Sequence, residues 1–310
     1  MEGSEHGLVA LAAVLVLGTA GQWIAWKVRL PSILLLLTLG VIAGPVTGLV
    51  QPDAMLGSLL FPVVSLSVAI ILFEGSLSLK LRELREIGGV LISLLTVGVL
   101  VAWVLISLSA YTILDFSPFK SILLGAVLVV TGPTVIGPLL RHVRPVGRVG
   151  PIARWEGIVI DPVGAVLAVL VFEAHLAASN AGVETASWSV FGGLVRTIVL
   201  GGGIGALAAW IVGQIIKRHM TPDYLQSPVV LMFVLAAFVA SNLVQHESGL
   251  LAVTVMGVVL TNLKGVAIHQ ILEFKENLSV LLVSSLFILL AARLNLDTFS
   301  ELGWRGCCSC

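Results

Sequence analysis

Apolar residues run along this chain in ten long stretches separated by short polar joints, at 7–27, 31–50, 58–79, 88–113, 119–140, 151–174, 188–216, 228–245, 248–264 and 277–293. Crossing about 30 Å of hydrocarbon takes roughly 20 helical residues. Lipid tolerates only elements that satisfy their own backbone hydrogen bonds. Each stretch therefore predicts a membrane-crossing helix, and the whole an all-α polytopic bundle. Pro31, Pro52, Pro118, Pro145, Pro151, Pro222 and Pro228 fall at or near the joints, where a residue that cannot continue a helix belongs. The amino terminus, Met1-Glu2-Gly3-Ser4-Glu5, is acidic where a cleavable signal would be basic, so the first stretch is expected to stay in the protein.

Composition agrees with the pattern. Apolar residues make up 58% of the chain and charged residues 11%, with mean hydropathy +1.09. A soluble domain carries about 25% charged residues, so water cannot be the main solvent here. Lys and Arg number 17 against 17 Asp and Glu, and that balance offers nothing to nucleic acid. Thirteen of the 17 basic residues lie in joints after odd-numbered stretches: Lys27, Arg29, Lys80, Arg82, Arg85, Arg141, Arg144, Arg148, Arg154, Lys217, Arg218, Lys264 and Lys275. This alternation predicts that those joints face the cytoplasm and that the amino terminus lies outside the cell (inner) membrane. The three cysteines, Cys307, Cys308 and Cys310, close the chain without the spaced partners that disulfides or zinc require. Residues 1–306 are thus expected to form one transmembrane domain, with 307–310 an atypical tail.

Gly201-Gly202-Gly203-Ile204-Gly205 loosely echoes a phosphate loop. Inside an apolar run, such small residues fit close helix packing instead. No cofactor motif or nucleophile arrangement stands out. The informative residues are acids at bilayer depth, each costing about 2.5–3.5 kcal/mol on insertion scales. Three qualify: Glu74 in the third stretch, and Glu156 and Asp161 in the sixth. Counted from Pro151 at about 1.5 Å per residue, Asp161 lies some 15 Å deep. A carboxyl group in such surroundings keeps its proton until a cation arrives to replace it. One side chain can then carry either a proton or a monovalent metal ion. Pro162 follows it directly, with Gly157 and Gly164 on either side, predicting a broken helix whose carbonyls could help hold an ion. Glu156, about 140° around the helix from Asp161, is expected to neutralise a basic group. In the fifth stretch Thr131-Gly132-Pro133-Thr134, with Gly137-Pro138 close behind, predicts a second interruption about 18 Å in. Two broken helices meeting at mid-depth form an ion site in secondary transporters. Asp161 and Thr131 are the candidate cation and proton ligands, supported by Glu156, Gly132, Pro133, Thr134 and Pro162. For Glu74 a structural and a functional role stay equally open.

These residues resemble the bacterial sodium/hydrogen exchangers of the monovalent cation:proton antiporter-1 family. The shared landmarks are Leu72–Leu79 (LFEGSLSL), Thr131–Arg141 (TGPTVIGPLLR), Trp155–Ala165 (WEGIVIDPVGA), Gly249–Gly257 (GLLAVTVMG) and Phe274–Phe287 (FKENLSVLLVSSLF). The family's Glu-Ser-x-x-Asn-Asp pattern falls on Glu156 and Asp161, with Gly157 in place of Ser and Ile160 in place of Asn; its Thr-Asp-Pro falls on Thr131-Gly132-Pro133. The resemblance implies an inverted-repeat antiporter fold of thirteen helices, a homodimer, and exchange of sodium, potassium or lithium for protons. With one core carboxylate rather than two, that exchange is expected to be electroneutral. Ten spans against thirteen imply an incomplete second repeat, and a chain that does not transport by itself is one reading of that. A cation channel or uniporter is another. An intramembrane enzyme would need paired carboxylates, and one deep Asp does not supply them.

Overall fold

The computed structural model describes residues 2–132, 135–136, 139–140, 143, 145–180, 183–245, 248–264 and 269–295. Among them the regular structure is helical throughout, and there is no strand. In chain order the helices are α1 (Glu2–Val28), α2 (Ser32–Val41), α3 (Pro52–Leu56), α4 (Leu60–Ser76), α5 (Leu81–Ser93), α6 (Val99–Ile113), α7 (Pro118–Leu128), α8 (Val149–Asn180), α9 (Val183–Lys217), α10 (Asp223–Val244), α11 (Ser248–Asn262) and α12 (His269–Ala292). Nine of the ten apolar stretches coincide with one helix or a consecutive pair, and the fifth is a continuous helix only in its first half, α7. Among the described residues, six segments are long and apolar enough to cross a membrane by themselves, and 32–46, 118–128, 248–262 and 278–292 are shorter apolar helices.

Among the described residues, two π-helical turns interrupt the regular winding. Ile42–Val46 continues α2 and holds Pro45; Leu94–Gly98 joins α5 to α6. A π turn inserts one residue into an otherwise α-helical ladder.

The chain divides into two compact units, residues 1–71 with the chain after 271, and residues 72–271. In the first, Val14 of α1, Leu36 of α2, Ala43, Val50, and Ile288, Leu289 and Ala292 of α12 form a buried cluster. Gly44 lets the backbone of Ala292 approach so closely that any side chain there would overlap it. Gln22 Nε2 donates to Ser284 Oγ at 3.1 Å, and Arg293 Nε donates to Asp53 Oδ2 at 3.0 Å.

The second unit holds the end of α4 and α5 through α11. Here α9 packs on α11 through two of the four glycines of the 201–205 run. A Cβ on Gly201 would lie 2.8 Å from the Ser248 carbonyl, and one on Gly205 would overlap that of Ala252, whereas Gly202 and Gly203 meet nothing within 4 Å. The run is a packing surface, as its apolar setting predicts. Asn262, the last residue of α11, holds the turn between α4 and α5. Its Nδ2 donates to the Leu79 carbonyl at 3.0 Å, and its Oδ1 accepts from the Leu81 amide at 2.9 Å.

The sixth stretch departs from expectation. Pro162 was expected to break it, yet α8 runs unbroken from Val149 to Asn180 with Pro162 inside. A proline in a helix interior removes one hydrogen bond, here to the carbonyl of residue 158, and costs about 3 kcal/mol. Buried packing on the preceding turns offsets that cost. Trp155 and Ile158 are buried with Leu79, Ile87 and Leu91, and Ile160 with Val99 and Val129. Pro162 is itself buried.

Candidate functional site

The fifth stretch does break. α7 ends at Leu128, and the amide of Val129 still reaches the carbonyl of Gly125 at 3.2 Å. Val130, Thr131 and Gly132 then leave helical geometry, with Gly132 at φ +66°. Residues with side chains rarely adopt that conformation, and glycine does so freely. The carbonyl of Gly132 next accepts from the amides of Val135 and Ile136, both at 3.3 Å, which restarts a turn. Pro133 and Thr134, the other two expected contributors from this stretch, lie outside the described residues.

The interrupted segment crosses α8 at the residues singled out from sequence. At about 100° per residue, Gly157 and Gly164 point the same way to within about 20°, and Asp161 sits between them about 40–60° off that line. A Cβ on Gly164 would overlap the side chain of Val130, and one on Gly157 would lie 3.0 Å from Ile136 Cγ1. The glycines flanking Asp161 therefore let a second backbone close on α8 instead of loosening the helix. Asp161 is half-buried and lies between the points where Val130 and Ile136 touch down.

Thr131 reaches around the helix. Its Oγ1 lies 3.0 Å from Glu156 Oε1 and 3.1 Å from Oε2, so the hydroxyl donates to the carboxylate. The spacing of Glu156 and Asp161 had suggested separate tasks and a basic partner for Glu156; the structure gives Glu156 the hydroxyl of Thr131. The fifth stretch thereby clasps both sides of α8, with Asp161 under the crossing. Glu74 lies half-buried on α4, where its neighbours Phe73 and Ser76 abut Gly257 of α11.

Sequence reasoning missed Val130 and Ile136. The spacing of Gly157 and Gly164, seven residues or two turns apart on one face, is the signal that a second backbone comes close here. Among the described residues no cluster of three or more His, Cys, Asp or Glu could hold a metal ion. A single carboxyl beside non-helical backbone can bind one proton or one weakly held monovalent ion.

The profile of a family described as sodium/hydrogen exchanger, transmembrane, matches residues 11–306. Among curated proteins, Na(+)/H(+) antiporter 1 of Methanocaldococcus jannaschii is 26% identical over 305 residues, spanning 93% of this chain and 68% of that protein. The K(+)/H(+) antiporter NhaP2 of Shewanella baltica is 26% identical over 266 residues, spanning 85% of this chain and 45% of that protein. The chain thus spans about half the length of some relatives and two thirds of others. Among solved structures, the sodium proton antiporter MjNhaP1 from M. jannaschii at pH 8 superposes with TM-score 0.82 at 23% identity, covering 96% of this chain and 73% of that one. An electron-microscopy structure of the same antiporter gives 0.74 at 25% identity, covering 92% and 69%.

Proposed function

This chain belongs to the sodium/hydrogen exchanger family and is a multi-pass membrane protein, and from that premise we propose that it exchanges a monovalent cation for a proton. Asp161 is the group that binds the two in turn. The observation that carries this reading is the interrupted fifth stretch lying across α8 on both sides of Asp161. A carboxyl group beside irregular backbone in a membrane helix bundle is what coupled exchange needs. The site must lose a proton to accept a cation, and backbone that is not tied into a helix can adjust to either. Thr131 donating to Glu156 closes one edge of the crossing; opening that contact gives an ion access to the segment.

With one carboxylate at the centre, each cation displaces one proton and the exchange is electroneutral. The protein works as a homodimer in the cell's inner membrane with its amino terminus outside, the orientation that the alternation of basic joints supports. Residues 1–306 form one transmembrane exchanger domain.

Reconstituted vesicles test this directly. An imposed cation gradient is expected to move protons in the opposite direction, unaffected by clamping the membrane potential, and Asp161→Asn is expected to stop it. Cation flux without proton movement would identify a channel or uniporter instead. Proton flux that tracks the voltage would rule out one-for-one exchange.

A further inference from the structure

We infer that the end of α1 is a binding site for an anionic phospholipid, with Lys27, Arg29 and the indoles of Trp23 and Trp26 taking the phosphate headgroup. This goes beyond the exchanger reading and does not depend on it.

The two faces of α1 differ. Val14, Gly18, Gly21 and Ala25 are buried. Val14 lies in the cluster with Leu36 and Ile288; a Cβ on Gly18 would come within 2.8 Å of Ser284 Cβ, and one on Gly21 within 2.9 Å of Leu39 Cδ1. The other face is bare. Leu15, Val16, Thr19, Trp23, Trp26 and Lys27 are exposed and share an arc of about 120°. Trp23 is 59% exposed and Trp26 77%. Lys27 Nζ lies 5.4 Å from the centre of the Trp23 ring, so ammonium and indole sit at one level. Arg29, exposed as well, follows directly. No acid occurs in the chain between Glu5 and Asp53. Helix α12, which carries Glu273 and Glu276, packs on the opposite face of α1 through Ser284.

Indoles favour the level of lipid headgroups, where the ring touches hydrocarbon and its N–H reaches polar oxygen. A phosphodiester there accepts charge-assisted hydrogen bonds from an ammonium and a guanidinium. Each basic residue beside a membrane helix strengthens the hold on anionic lipid by about fivefold. From Lys27 back to Leu15 is about 18 Å, roughly one leaflet of hydrocarbon, so the bare apolar stripe gives an acyl chain its track. The other candidate occupant is a second copy of the chain. A two-fold dimer with its axis along the membrane normal sets residues of equal depth against their own copies. Pairing through this face would bring Lys27 against Lys27, and like charges repel. The anionic headgroup is the occupant that the charge selects.

The test counts lipids held by the purified full chain by native mass spectrometry, titrated with phosphatidylglycerol or phosphatidylcholine of the same acyl chains. The first phosphatidylglycerol is expected to bind about tenfold or more tighter than phosphatidylcholine. Lys27→Gln and Arg29→Gln should each weaken it by about fivefold, and the two together should abolish the preference. Lys217→Gln, equally exposed in the last turn of α9, should leave it unchanged. Equal binding of the two lipids by the unaltered chain overturns the inference, as does a preference that survives the double change. An equal loss in Lys217→Gln reduces the effect to general attraction, and displacement by millimolar inorganic phosphate reduces it to a bare anion site; either result overturns the proposal. In phosphatidylglycerol membranes, photo-reactive benzoylphenylalanine in place of Trp26 is expected to couple to lipid, and coupling to a second chain instead overturns the lipid assignment. If the variants fail to fold, the comparison of the two lipids on the unaltered chain still decides.

Discussion

Two helix crossings in the same unit use glycine in opposite ways. Where α9 meets α11, Gly201 and Gly205 face the main chain of the partner, at the carbonyls of Ser248 and Ala252. Where the fifth stretch meets α8, Gly157 and Gly164 face side chains, those of Ile136 and Val130. Backbone against backbone leaves nothing that can rotate, and both helices keep their hydrogen bonds, so that crossing is a lock. Backbone against side chain, with one partner partly unwound, leaves rotamers and free carbonyls to rearrange. Helix packing in lipid depends on such close contact instead of on exclusion of water, and the two crossings divide the work between holding and moving.

The sharpest way to break this division is Asp161→Asn. Exchange should fall on the order of 100-fold or more, the scale on which a single proton-transferring group acts, while thermal stability in detergent stays unchanged. Stability falling with activity would make Asp161 part of the lock. Next in size, Gly205→Leu drives a side chain into the Ala252 carbonyl and should cost about 3 kcal/mol or more, the upper range for overpacking; an unchanged melting temperature would refute the lock. Asn262→Leu strips the hydrogen bonds that tie α11 to Leu79 and Leu81 and should cost about 2–3 kcal/mol, read by the same melting curve. Thr131→Val keeps the shape of the clasp but not its hydroxyl. A loss of about 1 kcal/mol with a clear change in exchange rate is expected, and a rate identical to the parent's would show the clasp to be idle. Smallest is Gly202→Ala, on the open side of the same run, which should be neutral or stabilising by up to about 1 kcal/mol.

Much of this was readable in the chain itself. Ten apolar stretches gave ten helical regions because membrane helices carry their signal locally, in length and hydropathy. The break at Thr131-Gly132 was visible because a glycine next to proline weakens a helix wherever it stands. Pro162 deceived, since whether a helix survives a proline depends on what packs around the missing bond, and Trp155, Ile158 and Ile160 are held by residues 60 or more positions away in sequence, such as Leu79, Ile87 and Val99. The clasp between Thr131 and Glu156 was hidden for a similar reason. Helical spacing places Glu156 on a different side from Asp161, and only the path of a second segment across α8 brings that side into the site.

The π turn at Leu94–Gly98 has a bearing on how this family of sequences can change length. Before it, Ile87 and Leu91 look toward Trp155; after it, Val99 looks toward Ile160, and Leu95 touches both groups. The wide turn absorbs one surplus residue, so the two halves of the rod keep the aim they would have in an uninterrupted helix one residue shorter. Deleting a single residue there would restore ordinary winding and leave Val99 toward Ile160 and Trp103 beside the Ile122 carbonyl that its indole reaches at 3.0 Å, whereas the same deletion in the regular turns on either side would swing everything beyond by about 100°. Descendants of this sequence can therefore lose a residue inside that turn more readily than elsewhere along the rod.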